Sequence, residues 1–89
     1  MGRVVVSQTA RKALEAMPAK ERRRVKEALE RLGEDPYRPR PGADVRPLAA
    51  TDPPKWRLRV GGWRAVYVVA GDEVRVIEVF RRGRGYRVE

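Results

Sequence analysis

Arg57 and Arg59 stand two residues apart, Arg64 follows after a Gly-Gly pair, and Arg81, Arg82, Arg84 and Arg87 crowd the end of the chain around Tyr86. A guanidinium is a planar fork of donors that meets a phosphate through two parallel hydrogen bonds, whereas an ammonium acts as a point charge. Such a cluster can also stabilise by charge a pentavalent phosphorane, the state through which a phosphodiester is broken. The chain has no His and no Cys. Proton transfer is therefore left to Arg, Lys, Tyr, Ser or carboxylates, and an arginine or tyrosine needs help from its surroundings because its ordinary pKa is far from neutrality. In the tail, Gly83 and Gly85 permit close backbone approach, and Tyr86 offers both a ring and a hydroxyl. That combination can hold a nucleic-acid backbone and stack a base, although four arginines in a chain end also read as a plain basic terminus.

The charge balance supports a polyanionic partner. Twenty-one basic residues, seventeen of them Arg, face twelve acidic ones and leave a net charge of +9 over 89 residues. An Arg-rich surface serving only solubility is the competing explanation, and the positions of the arginines decide between the two. No apolar run approaches the roughly 20 residues that span a bilayer, so no membrane association is expected. The opening Met1–Val6 is too short for a signal peptide. With no Cys for disulfides, a reducing cytoplasm is the expected location.

The elements that must position these residues follow from periodicity. Arg3–Val6 is a β-branched run suited to a strand. Ser7 or Thr9 can cap a helix carrying Ala10, Ala13, Leu14 and Met17 on one stripe; Pro18 ends it and opens a second helix with Val25, Ala28, Leu29 and Leu32, closed at Gly33. Arg23, Glu27 and Arg31 are spaced for i, i+4 ion pairs on the second helix, so its charges read as a solvated face. Residues 34–54 hold six of the seven prolines and read as an irregular crossing, in which Val45–Leu48 can touch the sheet as an edge segment because Pro47 is tolerated there. Strands follow at Trp56–Val60, Trp63–Ala70 and Glu73–Phe80, joined by turns at Gly61-Gly62 and Gly71-Asp72. Residues 1–89 then form one α+β domain, β-α-α-β-β-β, with a helical hairpin packed on a small, mainly antiparallel sheet.

A two-residue turn at Gly61-Gly62 fixes the register: Val60 faces Trp63, Arg59 faces Arg64, Leu58 faces Ala65 and Arg57 faces Val66. Trp56, Leu58, Val60, Trp63, Ala65 and Tyr67 form an apolar face for the helices, and Arg57, Arg59 and Arg64 emerge together on the other. Like charges directly opposite one another destabilise a sheet, so this pairing points to a site for an anion. In the alternative, the arginine stems lie over Val66, Ile77 and Val79 with their heads in water. No metal is expected, since His and Cys are absent and the few carboxylates do not cluster on the arginine face.

The run from Trp56 to Tyr67, WRLRVGGWRAVY, followed after one strand by Arg82-Gly83-Arg84-Gly85-Tyr86, resembles the RelE branch of the RelE/ParE toxins of bacterial and archaeal toxin–antitoxin systems. The helical hairpin, the proline-rich crossing and the chain length extend the resemblance over nearly the whole chain. It implies a ribosome-dependent endoribonuclease that cuts mRNA in the A site without a metal or other cofactor, contacts 16S rRNA, is monomeric alone and is neutralised by a RelB-like antitoxin. In the implied reaction the ribose 2′-hydroxyl attacks the adjacent phosphate, leaving a 2′,3′-cyclic phosphate and a 5′-hydroxyl. The implied catalytic residues are Arg57 and Arg59, which match two basic strand residues; Arg64, the phosphate-holding arginine after the turn; Arg82, a general acid; and Tyr86, near the 2′-hydroxyl. Arg81, Arg84 and Arg87 are expected to add RNA contacts. Some relatives carry lysines where this chain has Arg57 and Arg59, which leaves the general base open. Two other readings remain: a ParE-like toxin of the same fold acting on DNA gyrase, and a non-catalytic RNA- or ribosome-binding module.

Overall fold

A computed structural model describes residues 2–49 and 52–83. Its elements are β1 (Arg3–Val6), α1 (Gln8–Ala16), α2 (Ala19–Leu32), β2 (Asp44–Pro47), β3 (Trp56–Val60), β4 (Trp63–Ala70) and β5 (Glu73–Arg81). The strands make one sheet in the order β1-β5-β4-β3-β2, with β1 parallel to β5 and the other pairs antiparallel. The expected helical hairpin on a mainly antiparallel sheet is present, and the edge segment in the crossing is a full fifth strand that begins at Asp44.

Local chemistry explains the boundaries. Ser7, rather than Thr9, caps α1: its Oγ accepts from the Ala10 amide at 3.1 Å and donates to the Ile77 carbonyl at 2.6 Å. Met17 is extended, as a residue before proline must be, and Pro18 occupies the N-cap of α2. Gly33 closes α2 in a right-handed conformation. Glycine is needed there for space, since a Cβ would lie 2.8 Å from the Gly2 carbonyl oxygen. The i, i+4 pairs expected on α2 do not form among the described residues; Arg22 instead donates to the Met17 carbonyl at 3.0 Å and ties the two helices at their joint.

The helices bury Leu14, Met17, Val25, Leu29 and Leu32 against Val45, Leu58, Ala65, Tyr67, Val74 and Val76 of the sheet. Two polar handles orient this packing. The Trp63 indole donates to Glu21 of α2 at 2.8 Å, and the Tyr67 hydroxyl donates to the Pro36 carbonyl at 2.5 Å, anchoring the start of the crossing.

One irregularity changes the side that half of β5 presents. Tyr67 pairs with Val76 but Val66 pairs with Glu78, so Ile77 is an extra residue in a bulge. Plain alternation from Val74 and Val76 would have turned Glu78 into the core. The bulge sends Val79 there instead, opposite Ala65, and brings Glu78 and Phe80 to the arginine face. Val79, expected beneath the arginine stems, is therefore a core residue, and Phe80 takes its place. The Ile77 carbonyl finds its donor in the Ser7 hydroxyl.

Burial pushes the Tyr67 phenol well above its usual range. Stability from this group is complete below the ordinary tyrosine pKa of about 10 and is lost as pH rises toward the folded value. Tyr67→Phe should reduce the unfolding free energy by about 1–2 kcal/mol at neutral pH, because the Pro36 carbonyl loses its donor. Urea unfolding measures this, and the gap between wild type and variant should narrow above about pH 10. A gap that widened there would contradict the placement of the hydroxyl.

Candidate phosphate-binding face

On the face away from the helices the side chains fall into two cross-strand rows. Asp44, Arg59, Arg64 and Phe80 form one, and Arg46, Arg57, Val66 and Glu78 the other. The expected Arg59–Arg64 pairing is thus present, set by the turn in which Gly61 takes a left-handed φ of 55°. Arg64 does not splay freely. Its Nη1 donates to the Gly61 and Trp63 carbonyls, each at 3.0 Å, and so clips the side chain to the turn.

Asp44 supplies a counter-charge that sequence reasoning missed. Its carboxylate lies 2.8 Å from Arg59 Nε and 3.9 Å from Arg57 Nη2. It does not neutralise the cluster. The Arg64 guanidinium is held below its usual value first by burial, then by the charges of Arg57, Arg59 and Arg82, with Asp44 opposing them. The Arg57 side chain is only 25% exposed, and its Nε is buried without a hydrogen-bond partner. Arg57 and Arg64 are partly withdrawn from water beside the exposed Arg59 and Arg82, and Asp44 is the carboxylate paired among them, an arrangement that favours an incoming anion.

Arg82 completes the group. Its amide donates to the Gly62 carbonyl at 2.6 Å, holding the chain after β5 beside the hairpin turn. Arg57, Arg64 and Arg82 border an open hollow of about 240 Å³ whose other walls are Leu48, Val66, Phe80 and Gly83. Arg81 belongs elsewhere. It pairs with Trp63 and its guanidinium lies 5.4 Å from the centre of that ring, on the helix side of the sheet. It is therefore separated from the other arginines, for the same reason that Phe80 joins them: the bulge at Ile77 shifts the alternation by one. Arg84, Tyr86 and Arg87 lie outside the described residues. The expectation that carboxylates avoid this face is corrected by Asp44 and Glu78, although no group of three or more metal-ligating side chains occurs among the described residues.

Asp44 and Phe80 each left a trace in the sequence. An edge strand ending at Pro47 matches Val45 to Leu58, which puts Asp44 opposite Arg59. Glu78, standing where simple alternation would bury a carboxylate, was the sign that Phe80 turns outward.

The family model for the ParE toxin of the type II toxin–antitoxin system parDE matches residues 4–86. The chain is a type II toxin of the RelE/ParE superfamily. The fold agrees. The toxin is similar to a chain of the archaeal RelE–RelB complex from Pyrococcus horikoshii OT3, at 30% identity and a TM-score of 0.79 over 94% of this chain and 98% of that one. It shares its fold with a chain of the RelBE2 toxin–antitoxin complex of Mycobacterium tuberculosis, at 24% identity and a TM-score of 0.75 over 91% and 98% of the two chains. The same holds for the intact E. coli RelBE complex, at 23% identity and a TM-score of 0.64 over 94% and 100%. No curated protein sequence matches this toxin. No described helix is long and apolar enough to cross a membrane.

The Asp44–Arg59 pair is partly exposed, with side chains 36% and 54% accessible, so its direct worth is small, about 0.2–1 kcal/mol. Asp44→Asn also exposes the arginines to one another. Urea unfolding should show a loss of roughly 1 kcal/mol at low ionic strength that shrinks markedly at about 1 M salt, where the Debye length is about 3 Å. An equal loss at both salt concentrations would mean that Asp44 serves only as a local hydrogen-bond acceptor.

Proposed function

We propose that this toxin is a metal-independent endoribonuclease that cuts mRNA in the ribosomal A site and so halts translation, acting in the cytoplasm. The observation that carries this reading is the convergence of Arg57, Arg59, Arg64 and Arg82 on one face, with a single carboxylate, Asp44, paired among them. In the reaction proposed, the ribose 2′-hydroxyl attacks the neighbouring phosphorus and the bond to the 5′-oxygen breaks. The products are a 2′,3′-cyclic phosphate and a 5′-hydroxyl. Arg57, Arg59 and Arg64 hold the phosphate and stabilise the added negative charge of the phosphorane. Arg82 delivers the proton to the departing oxygen, and Tyr86 stands near the attacking hydroxyl. The proton of the 2′-hydroxyl passes to an acceptor completed by the ribosome, because no histidine is available and a charged guanidinium has no lone pair to accept it; Arg82, neutral after its donation, regains a proton from that acceptor or from water as the cycle closes.

The partner proposed is a RelB-like antitoxin, as in the complexes of the similar toxins. A segment bearing acidic and apolar side chains would relieve the repulsion among the arginines and cover the phosphate site in one step. The second reading, a ParE-like inhibitor of DNA gyrase, is favoured by the description of the matching family model. Gyrase inhibition requires no convergence of guanidiniums around a hollow, which is why the nuclease reading ranks first. A binding module without catalysis would use the same cluster for affinity alone.

One assay on translating ribosomes separates the three. The wild-type toxin should cleave mRNA within the A-site codon and leave 2′,3′-cyclic phosphate and 5′-hydroxyl ends. Arg64→Ala should reduce cleavage by at least about a hundredfold, the scale of removing one transition-state donor, with little change in thermal stability, since lost turn hydrogen bonds offset relieved repulsion. Products ending in 3′-hydroxyl and 5′-phosphate, as two-metal hydrolysis gives, would overturn the mechanism. Absence of cleavage together with gyrase inhibition would favour the second reading. Antitoxin binding should weaken as salt rises but persist through its apolar contacts, and complete insensitivity to salt would contradict the charge-based account of inhibition.

A further inference from the structure

Phe80 is the one phenylalanine of the chain, and it stands half-buried on its most cationic face instead of in the core. With Leu48 it forms an apolar wall of the hollow bordered by Arg57, Arg64 and Arg82. At about 240 Å³ the hollow is smaller than the roughly 300–1,000 Å³ of pockets that take a drug-sized ligand. It suits one flat ring system, not a whole nucleotide. An apolar peptide side chain placed there would bring three guanidiniums toward a low-dielectric contact and offer them nothing in return. A nucleotide of a single strand brings a flat ring and an anion together, at a spacing its sugar fixes.

We propose that this hollow is a nucleobase subsite. A base of single-stranded RNA stacks on Phe80 beside Leu48, while the phosphate attached to its sugar is held by Arg57, Arg64 and Arg82. The proposal rests on the reading of this face as an RNA site and adds what that reading lacks, a contact to something other than the backbone. Stacking is tolerant of sequence because every base has a π face, so the subsite positions the strand along the arginines and does not by itself choose a codon. The bulge at Ile77 makes the subsite possible, since plain alternation would turn Phe80 toward the helices.

The test uses the full-length toxin and two probes of equal length and charge: a short 2′-O-methyl oligoribonucleotide and its abasic counterpart. Neither can be cleaved, because the attacking hydroxyl is blocked or absent, so binding is measured apart from any nuclease activity. Wild type should bind the base-bearing strand about tenfold more tightly, within the range that stacking on one aromatic gives. Phe80→Leu keeps the apolar volume and removes the ring; it should reduce the preference to about twofold or less, with affinity for the abasic strand unchanged. Phe80→Trp should keep the preference or increase it. Equal binding of both probes by wild type, or a Phe80→Leu variant that retains the full preference, overturns the proposal. So does a variant that loses antitoxin affinity while its preference between the probes stays intact, since the hollow would then be a pocket for a protein side chain. A toxin that shows the base preference yet fails to cut mRNA on ribosomes leaves the subsite standing and removes only the nuclease reading.

Discussion

Arg59 and Arg64 face each other across β3 and β4, and the rest of the toxin is organised around keeping them there. Two like charges at a cross-strand position oppose sheet formation. The register holds because the other side of the same strands carries Leu58, Ala65, Tyr67 and the two tryptophans, and a slip by one residue would exchange the two faces and bury the arginines. The hydrophobic effect on one face thus enforces electrostatic repulsion on the other. The core leaves no charged or polar residue buried among the described residues, so the repulsion is confined to a surface that a phosphate can reach.

The proline-rich crossing and the bulge adjust this tension. The crossing is anchored to the core through the Tyr67 hydroxyl and returns as β2, which carries Asp44 to Arg59. Asp44 moderates the repulsion without cancelling it: burial first, and then the charges of Arg57, Arg59 and Arg82, hold the Arg64 guanidinium below its usual value against the opposing effect of Asp44. The bulge, capped by the same serine that begins α1, divides the arginines at the end of β5 between two jobs. Arg81 lies against Trp63 over the helix side, and Arg82 turns back to the hairpin and joins the arginine face.

Most of this was legible in the sequence where strict periodicity and a two-residue turn governed it. The helical hairpin, the Arg59–Arg64 register and the apolar face followed from spacing alone, because each depends on contacts between near neighbours or on one tight turn. The bulge did not, since it depends on a hydroxyl from a distant element meeting the Ile77 carbonyl, and its omission put Val79 beneath the arginine stems and Arg81 beside Arg82 in the cluster. Asp44 was missed for a related reason: a four-residue edge strand containing a proline has little pattern of its own, and its role appears only once β3 fixes which of its residues lies beside Arg59.

The central claim is that phosphate binds where Arg57, Arg59, Arg64 and Arg82 converge, and not wherever the +9 charge happens to be exposed. The most direct measurement follows the arginine Nε–Hε resonances of the toxin as an uncleavable RNA strand is added. The signals of these four residues should shift together and saturate, while those of Arg3 and Arg11, at the far side of the sheet and on α1, remain in place. Shifts spread over all arginines in proportion to their exposure, or concentrated on Arg22, Arg23 and Arg24 of α2, would contradict it.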